Sequence, residues 1–353
     1  MSPSGSSDVL SPSRLLARLR LDPYVVALLC AAGVAALLPV RGAPAEVLGV
    51  AVKVAIGLLF FLYGTRLSPS AAWDGVRQWR LHGLVLLITY AVFPMLGLAL
   101  GVLVPSVLAP ELHLGVLFLC VLPSTVQSAI TFTSVARGNV AAAICQASFS
   151  NVLGVFLTPL LAGLLVLSSG GGITPGALRD VVVLLLAPFA AGLLLRPVVG
   201  PRLRKHAGVL GLLDRGVILV VVYLAFSRGT AAGIWDRLSP RDIGVLLAVC
   251  AVLLTAVLLG TGLLGRWCGF ARQDRVVLVL CGSNKSLASG LPMATVLFAG
   301  SANAGLIVLP LMLYHQMQLI TCAWMARRFA RSAEPAAEAV APVAAAQLER
   351  GGR

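Results

Sequence analysis

Lys285 stands at the middle of an otherwise apolar stretch, VVLVLCGSNKSLASGLPMATVLF (276–298), long enough to cross a bilayer. A cation at that depth costs several kcal/mol or more, so its surroundings must offset the cost. Gly282, Ser283, Asn284, Ser286, Ser289, Gly290 and Pro292 flank it, a composition that breaks a helix and supplies polar groups. Three chemistries suit such a lysine. It can hold two half-helices together as a fixed charge, attract an anionic substrate, or carry a proton. The plainer alternative is an ammonium that satisfies carbonyls at a half-helix end and never meets substrate. A second polar cluster lies beside Pro123: Ser124, Thr125, Gln127 and Ser128. These residues can line a site or merely hydrogen-bond their own helix. Gln146 with Ser148, Ser150 and Asn151 forms a third group, and Tyr314, His315, Gln316 and Gln318 a fourth. His315 suits a proton relay, although a satisfied interhelical hydrogen bond explains it slightly better. Thr89 precedes Pro94 in another apolar run.

Such groups need a membrane scaffold, and the composition supplies one. The chain has 353 residues, of which 59% are hydrophobic and only 11% charged. A soluble domain is about 45–50% apolar and about 25% charged. Ten spans are expected, near 23–39, 47–64, 81–104, 114–134, 140–167, 178–199, 210–228, 242–265, 275–298 and 303–327. The first is preceded by Arg14, Arg18 and Arg20 and followed by Ala43-Pro-Ala45, which resembles a signal peptide. Its length favours a retained span. With the N-terminus inside, seventeen Lys/Arg fall in cytoplasmic segments against five outside, so both termini are expected in the cytoplasm of a cell-membrane protein. Residues 1–13 and 332–353 read as disordered tails around a transmembrane domain at 14–331. Trp73 and Trp79, in the segment 66–80, read as interfacial anchors.

Ten spans divide into two sets of five, about 23–167 and 178–327, and the odd number gives the halves opposite topology. The fourth span of each half is the one interrupted by polar and helix-breaking residues. Paired interruptions at corresponding positions point to a transporter's binding site. The expected fold is therefore all-α and polytopic, with ten helices in two inverted repeats and helices four and nine broken.

Several classes are excluded. The net charge of +14 reads as loop anchoring, not nucleic-acid binding. The seven cysteines lie in or beside apolar segments without metal-ligand spacing, so no metal or disulfide frame is expected. No HExxH, GxSxG or P-loop occurs, and the chain is not expected to be an enzyme. Lys53 reads as a snorkelling or carbonyl-paired residue, His82 and His113 as interfacial, and Gly97-x-x-x-Gly101 as a helix-packing pattern.

Three stretches carry a resemblance: FFLYGTRLSPSAAWDGVRQWRLHGLVLLITYAVFPMLGLAL (60–100), LPSTVQSAITFTSVARGNVAAAICQASFSNVLGVFLTPLL (122–161) and LCGSNKSLASGLPMATVLF (280–298). Together they resemble the bile acid:sodium symporter family, in its sodium/bile acid cotransporter-like branch. The resemblance implies ten helices in inverted repeats. A panel comes from helices one, two, six and seven, and a core from the rest. Substrate and sodium bind where helices four and nine cross. It also implies a glutamate on helix nine and Ser-Asn on helix four for sodium. Here the matching positions are Ser283, Asn284 and Lys285, and Ser128 followed by Ala129. No acidic residue falls near a span's middle, and a nearby lysine opposes sodium electrostatically.

The expected function is a secondary transporter that moves a small organic anion by alternating access. Proton-linked or uncoupled movement ranks ahead of sodium symport, so no cofactor is expected beyond a doubtful coupling Na+. The expected partners are that anion and membrane lipid. The alternative is a non-transporting regulator or sensor that binds a ligand at the same crossing.

Overall fold

The computed structural model describes residues 23–66, 78–168, 179, 182–233, 238–298 and 303–332. The expected tails, except for Ser332, and most of the 66–80 segment, Trp73 included, lie outside these residues. The described residues are helical, with no strand among them. In chain order the helices are α1 (Pro23–Leu37), α2 (Ala43–Arg66), α3 (Trp79–Leu103), α4 (Pro110–Cys120), α5 (Gln127–Val135) and α6 (Val140–Ser168). They continue with α7 (Ala187–Arg204), α8 (Ala207–Ala231), α9 (Pro240–Trp267), α10 (Arg272–Ser283), α11 (Leu287–Leu297) and α12 (Ala304–Arg331).

Among the described residues, eight helical stretches are long and apolar enough to span a bilayer. They include Arg272–Leu297, which contains the break between α10 and α11, and Val182–Leu203, which begins with a π-turn ahead of α7. The two expected spans that fall short are the first, 15 residues in α1, and the fourth, divided into α4 and α5. Many large apolar side chains remain on the outside, such as Leu37, Val102 and Leu194. In water such a surface is a liability; in lipid it is the expected outer face. The chain is a multi-pass membrane protein.

Two packing groups emerge. α1, α2, α7 and α8 pack on one another, and α3–α6 pack with α9–α12. α8 is the main seam, touching α11 and α12 of the second group. Within the first group α2 and α7 meet backbone to backbone. A methyl on Gly192 would lie 2.0 Å from the Phe61 carbonyl, and one on Gly64 2.2 Å from that of Phe189. Small residues are what allow such an approach. The seam between α2 and α8 also holds an ion pair, Arg66 to Asp214 at 2.6 Å.

Gly97 and Gly101 do pack closely, as their spacing suggested: Gly97 sits against Cys120 and Leu117, and Gly101 against His113. His82 and His113 are covered by neighbouring helices. Both are buried inside the protein, His82 against Gln146 Oε1 at 2.8 Å and His113 against the Gly97 carbonyl at 3.0 Å.

Candidate functional site

The breaks in spans four and nine face each other. α4 ends at Cys120 and α5 begins at Gln127; α10 ends at Ser283 and α11 begins at Leu287. Hydrogen bonds tie the two breaks together. Ser286 N–H donates to the Pro123 carbonyl at 2.8 Å, and Ser124 Oγ donates to the Cys281 carbonyl at 2.7 Å. Non-helical backbone inside a membrane protein needs such partners, because no water is there to supply them.

Lys285 fills the junction and is fully buried. Its Nζ donates to three carbonyls: Cys120 and Leu122 at 2.8 Å and Thr89 at 3.0 Å. An ammonium has three N–H donors, so all of them are used. The Phe93 ring lies 4.0 Å from Nζ at its centroid and adds a cation–π contact, worth about 2 kcal/mol or more when desolvated.

Each carbonyl is free for a local reason. The Thr89 carbonyl lies in a π-turn, Ile88–Val92, where the Phe93 N–H goes to the Ile88 carbonyl. The next residue, Pro94, has no N–H to offer. Thr89 is thus left with an accepting oxygen and no helical donor, while its own hydroxyl is spent on the Val85 carbonyl at 2.8 Å. The Cys120 carbonyl is freed because α4 stops and the Ser124 N–H turns to Ser150 Oγ at 2.9 Å. The Leu122 carbonyl belongs to the non-helical gap itself.

The lysine backbone is fixed by α12. Gln318 Oε1 accepts from the Lys285 N–H, and Gln318 Nε2 donates to its carbonyl, both at 2.8 Å. His315 Nδ1 lies 2.8 Å from Gln318 Nε2, and the Tyr314 hydroxyl donates to the Ser283 carbonyl at 2.8 Å. Around the rim, Ser286 caps α11 by accepting from the Ser289 N–H, and Ser289 Oγ donates to Asn151 Oδ1 at 3.0 Å. Asn151 Nδ2 donates to the Ser124 carbonyl at 3.0 Å and closes the ring back to the first gap.

A second clamp lies at the far ends of the same spans. In the Ala136–Asn139 turn, Arg137 takes a left-handed φ of 54°. Gly138 abuts Val276 of α10, where a methyl would come within 2.7 Å. Asn139 Oδ1 accepts from the Ala142 N–H at 3.0 Å at the start of α6, while its Nδ2 donates to Asp274 Oδ1 at 2.9 Å.

The residues singled out in the sequence thus divide. Lys285, Ser283, Asn284, Ser286, Ser289, Ser124 and the Thr89 carbonyl meet at or beside the junction, with His315 one layer out against Gln318. Thr125 and Ser128 bond each other through their hydroxyls at the start of α5. Gln127 is exposed, and Gln316 is half-buried outside this network. Gln146 is buried, but its partner is His82; its Nε2 and the Asn284 Nδ2 are buried without partners in the structure. The Cys120 and Leu122 carbonyls and the Phe93 ring were not anticipated. Every residue carries a carbonyl, so only a proline such as Pro94 signals one that a helix leaves free. No carboxylate reaches the junction among the described residues: Asp274 is held by Asn139, Asp214 by Arg66, and Asp242 caps α9 with Ser239.

The model of the SBF-like CPA transporter family matches residues 22–331. An uncharacterized protein of Pseudomonas aeruginosa is 47% identical, with 91% of this chain and 96% of that protein covered. YfeH of Escherichia coli, which carries the name of a symporter, is 41% identical over 89% of this chain and 94% of its own. Sodium/bile acid cotransporter 7 of Rattus norvegicus is 28% identical over 87% and 92%.

Proposed function

The chain belongs to the SBF-like CPA transporter family, within the bile acid:sodium symporters, and from that premise we propose that it is a secondary transporter of small organic anions whose tethered lysine takes the place of a coupling sodium. Membership makes it a transporter and not an enzyme. The two packing groups would rock against each other about the junction of the broken spans, in an inverted-repeat scaffold of ten helices with both termini cytoplasmic. Transporter names among the relatives favour carriage over a sensor role, and a bile acid, named in one of them, is an organic anion.

The observation that carries the reading is the three-carbonyl cage. Backbone carbonyls are hard oxygen donors of the kind that bind alkali cations. Here the cation is covalently part of the chain and cannot leave. Its charge is spent on the protein's own carbonyls and is not presented to an anion. A sodium ion at the same point would meet a like charge and no carboxylate.

The test is transport by the full chain in proteoliposomes, with radiolabelled taurocholate and simpler organic anions and with counterflow exchange as the readout. Uptake unchanged when sodium is replaced by choline at fixed pH is expected. Strict sodium dependence would remove the lysine from the role assigned to it. Saturable binding without any counterflow would favour the sensor.

A further inference from the structure

Lys53 reads in the sequence as a snorkelling or carbonyl-paired residue, and Arg228 is one of the five cations counted on the outer side. The structure brings them to one small cavity of about 60 Å³, between α2, α8 and α11. α2 contributes Lys53 and Ile56, α8 contributes Leu224 and Arg228, and α11 contributes Thr295. Arg228 lies across α2 at Gly49, where a methyl would come 2.9 Å from a guanidinium nitrogen. The one ion pair among the described residues is Arg66 with Asp214, so neither Lys53 nor Arg228 is neutralised by a described carboxylate. Thr295 Oγ1 donates to the Leu291 and Pro292 carbonyls, leaving its lone pairs as further polar surface.

Arg228 is half-buried and Lys53 exposed, so solvent screens part of their mutual repulsion, and an anion between them would relieve the rest. A water needs about 10–15 Å³ of such space. The cavity has room for a group of a few heavy atoms, well short of the roughly 300 Å³ or more of a whole-ligand pocket. Ile56 and Leu224 give it an apolar wall. We propose that this cavity binds the oxyanion head group of the transported substrate, a carboxylate, sulfonate or phosphate, with its apolar body along the seam. Arg228 supplies the planar fork suited to such a group and Lys53 a mobile point charge. The site joins both packing groups, since α2 and α8 belong to one and α11, directly after the lysine break, to the other. An anion held there would contact both bodies that move. The assignment to substrate rests on the transport reading; the oxyanion site itself does not.

The experiment measures thermal unfolding of the purified full chain against inorganic sulfate at constant ionic strength, balanced with chloride. Sulfate stabilises proteins generally by surface exclusion, and that non-saturating part is common to all variants. The wild type is expected to show an added saturable part. Its half-saturation concentration should rise about tenfold or more in Lys53→Gln and in Arg228→Gln, and less in Arg228→Lys, which keeps the charge. Identical sulfate curves for the wild type and the doubly neutralised chain would overturn the proposal. So would saturation by phosphatidylglycerol micelles alone, which would assign the cations to a lipid head group. Sulfate binding needs no transport. Intact binding with no counterflow of any tested anion therefore rejects the transport reading while the oxyanion site stands.

Discussion

At the residue scale, Lys285 commits Nζ to three backbone carbonyls, one for each ammonium proton. Lys285→Met would keep the bulk but leave three buried carbonyls without donors, each costing about 1–3 kcal/mol. The expected outcome is a melting temperature lowered by several degrees and loss of transport. Lys285→Arg should not rescue it, because a planar fork of five donors does not match three converging oxygens. Wild-type transport in either variant would show that the cage is dispensable. Pro94→Ala tests how the Thr89 oxygen is kept free. The restored N–H competes for that carbonyl, so turnover should fall several-fold while the fold is retained, as circular dichroism would report. The lysine was legible in the sequence because one charge in an apolar run cannot be missed. Its cage was not, since backbone oxygens leave no mark except where a proline withholds a donor. Gln127 shows the converse: its place beside Pro123 suggested the site, yet the first turn of α5 leaves it exposed.

At the scale of elements, both interruptions were visible as clusters of Pro, Gly, Ser and Asn within apolar runs. That the gaps bond directly to each other depends on a separation of some 160 residues in the chain, which local pattern does not encode. The Ala136–Asn139 turn is the second tie between the same spans, and its asparagine does two jobs. Asn139→Ala removes a helix cap and the link to Asp274 together. The cap alone is worth about 0.5–2 kcal/mol, so a lowered melting temperature is expected, with Asn139→Asp recovering the cap but adding a charge beside Asp274. If Asn139→Ala melts with the wild type, the turn does not brace the broken spans. The short α1 reflects a similar limit of reading: hydropathy marks an apolar run to residue 39, while the helix ends at Leu37 ahead of Pro39.

Across the whole molecule, the eight long spans followed from composition and window length, but the division into two packing groups is a property of long-range contacts. Alternating access requires the groups to shift at the α8 seam. Leu224 and Thr295 line one cavity from opposite groups. A short bis-maleimide bridge between Leu224→Cys and Thr295→Cys should lower counterflow well below that of the same double-cysteine protein left unbridged. Full transport in the bridged protein would mean that this seam stays closed throughout the cycle. Finally, a charge fastened to the chain cannot balance one that leaves. If a monoanion moves without an accompanying cation, each turnover carries current. An interior-negative potential of 100 mV would then oppose its entry by about 2.3 kcal/mol and assist its exit equally. Proteoliposomes clamped with potassium and valinomycin should show flux that follows the imposed voltage. Replacing a diffusible ion with a lysine would thus turn the membrane potential from a helper of uptake into a driver of efflux.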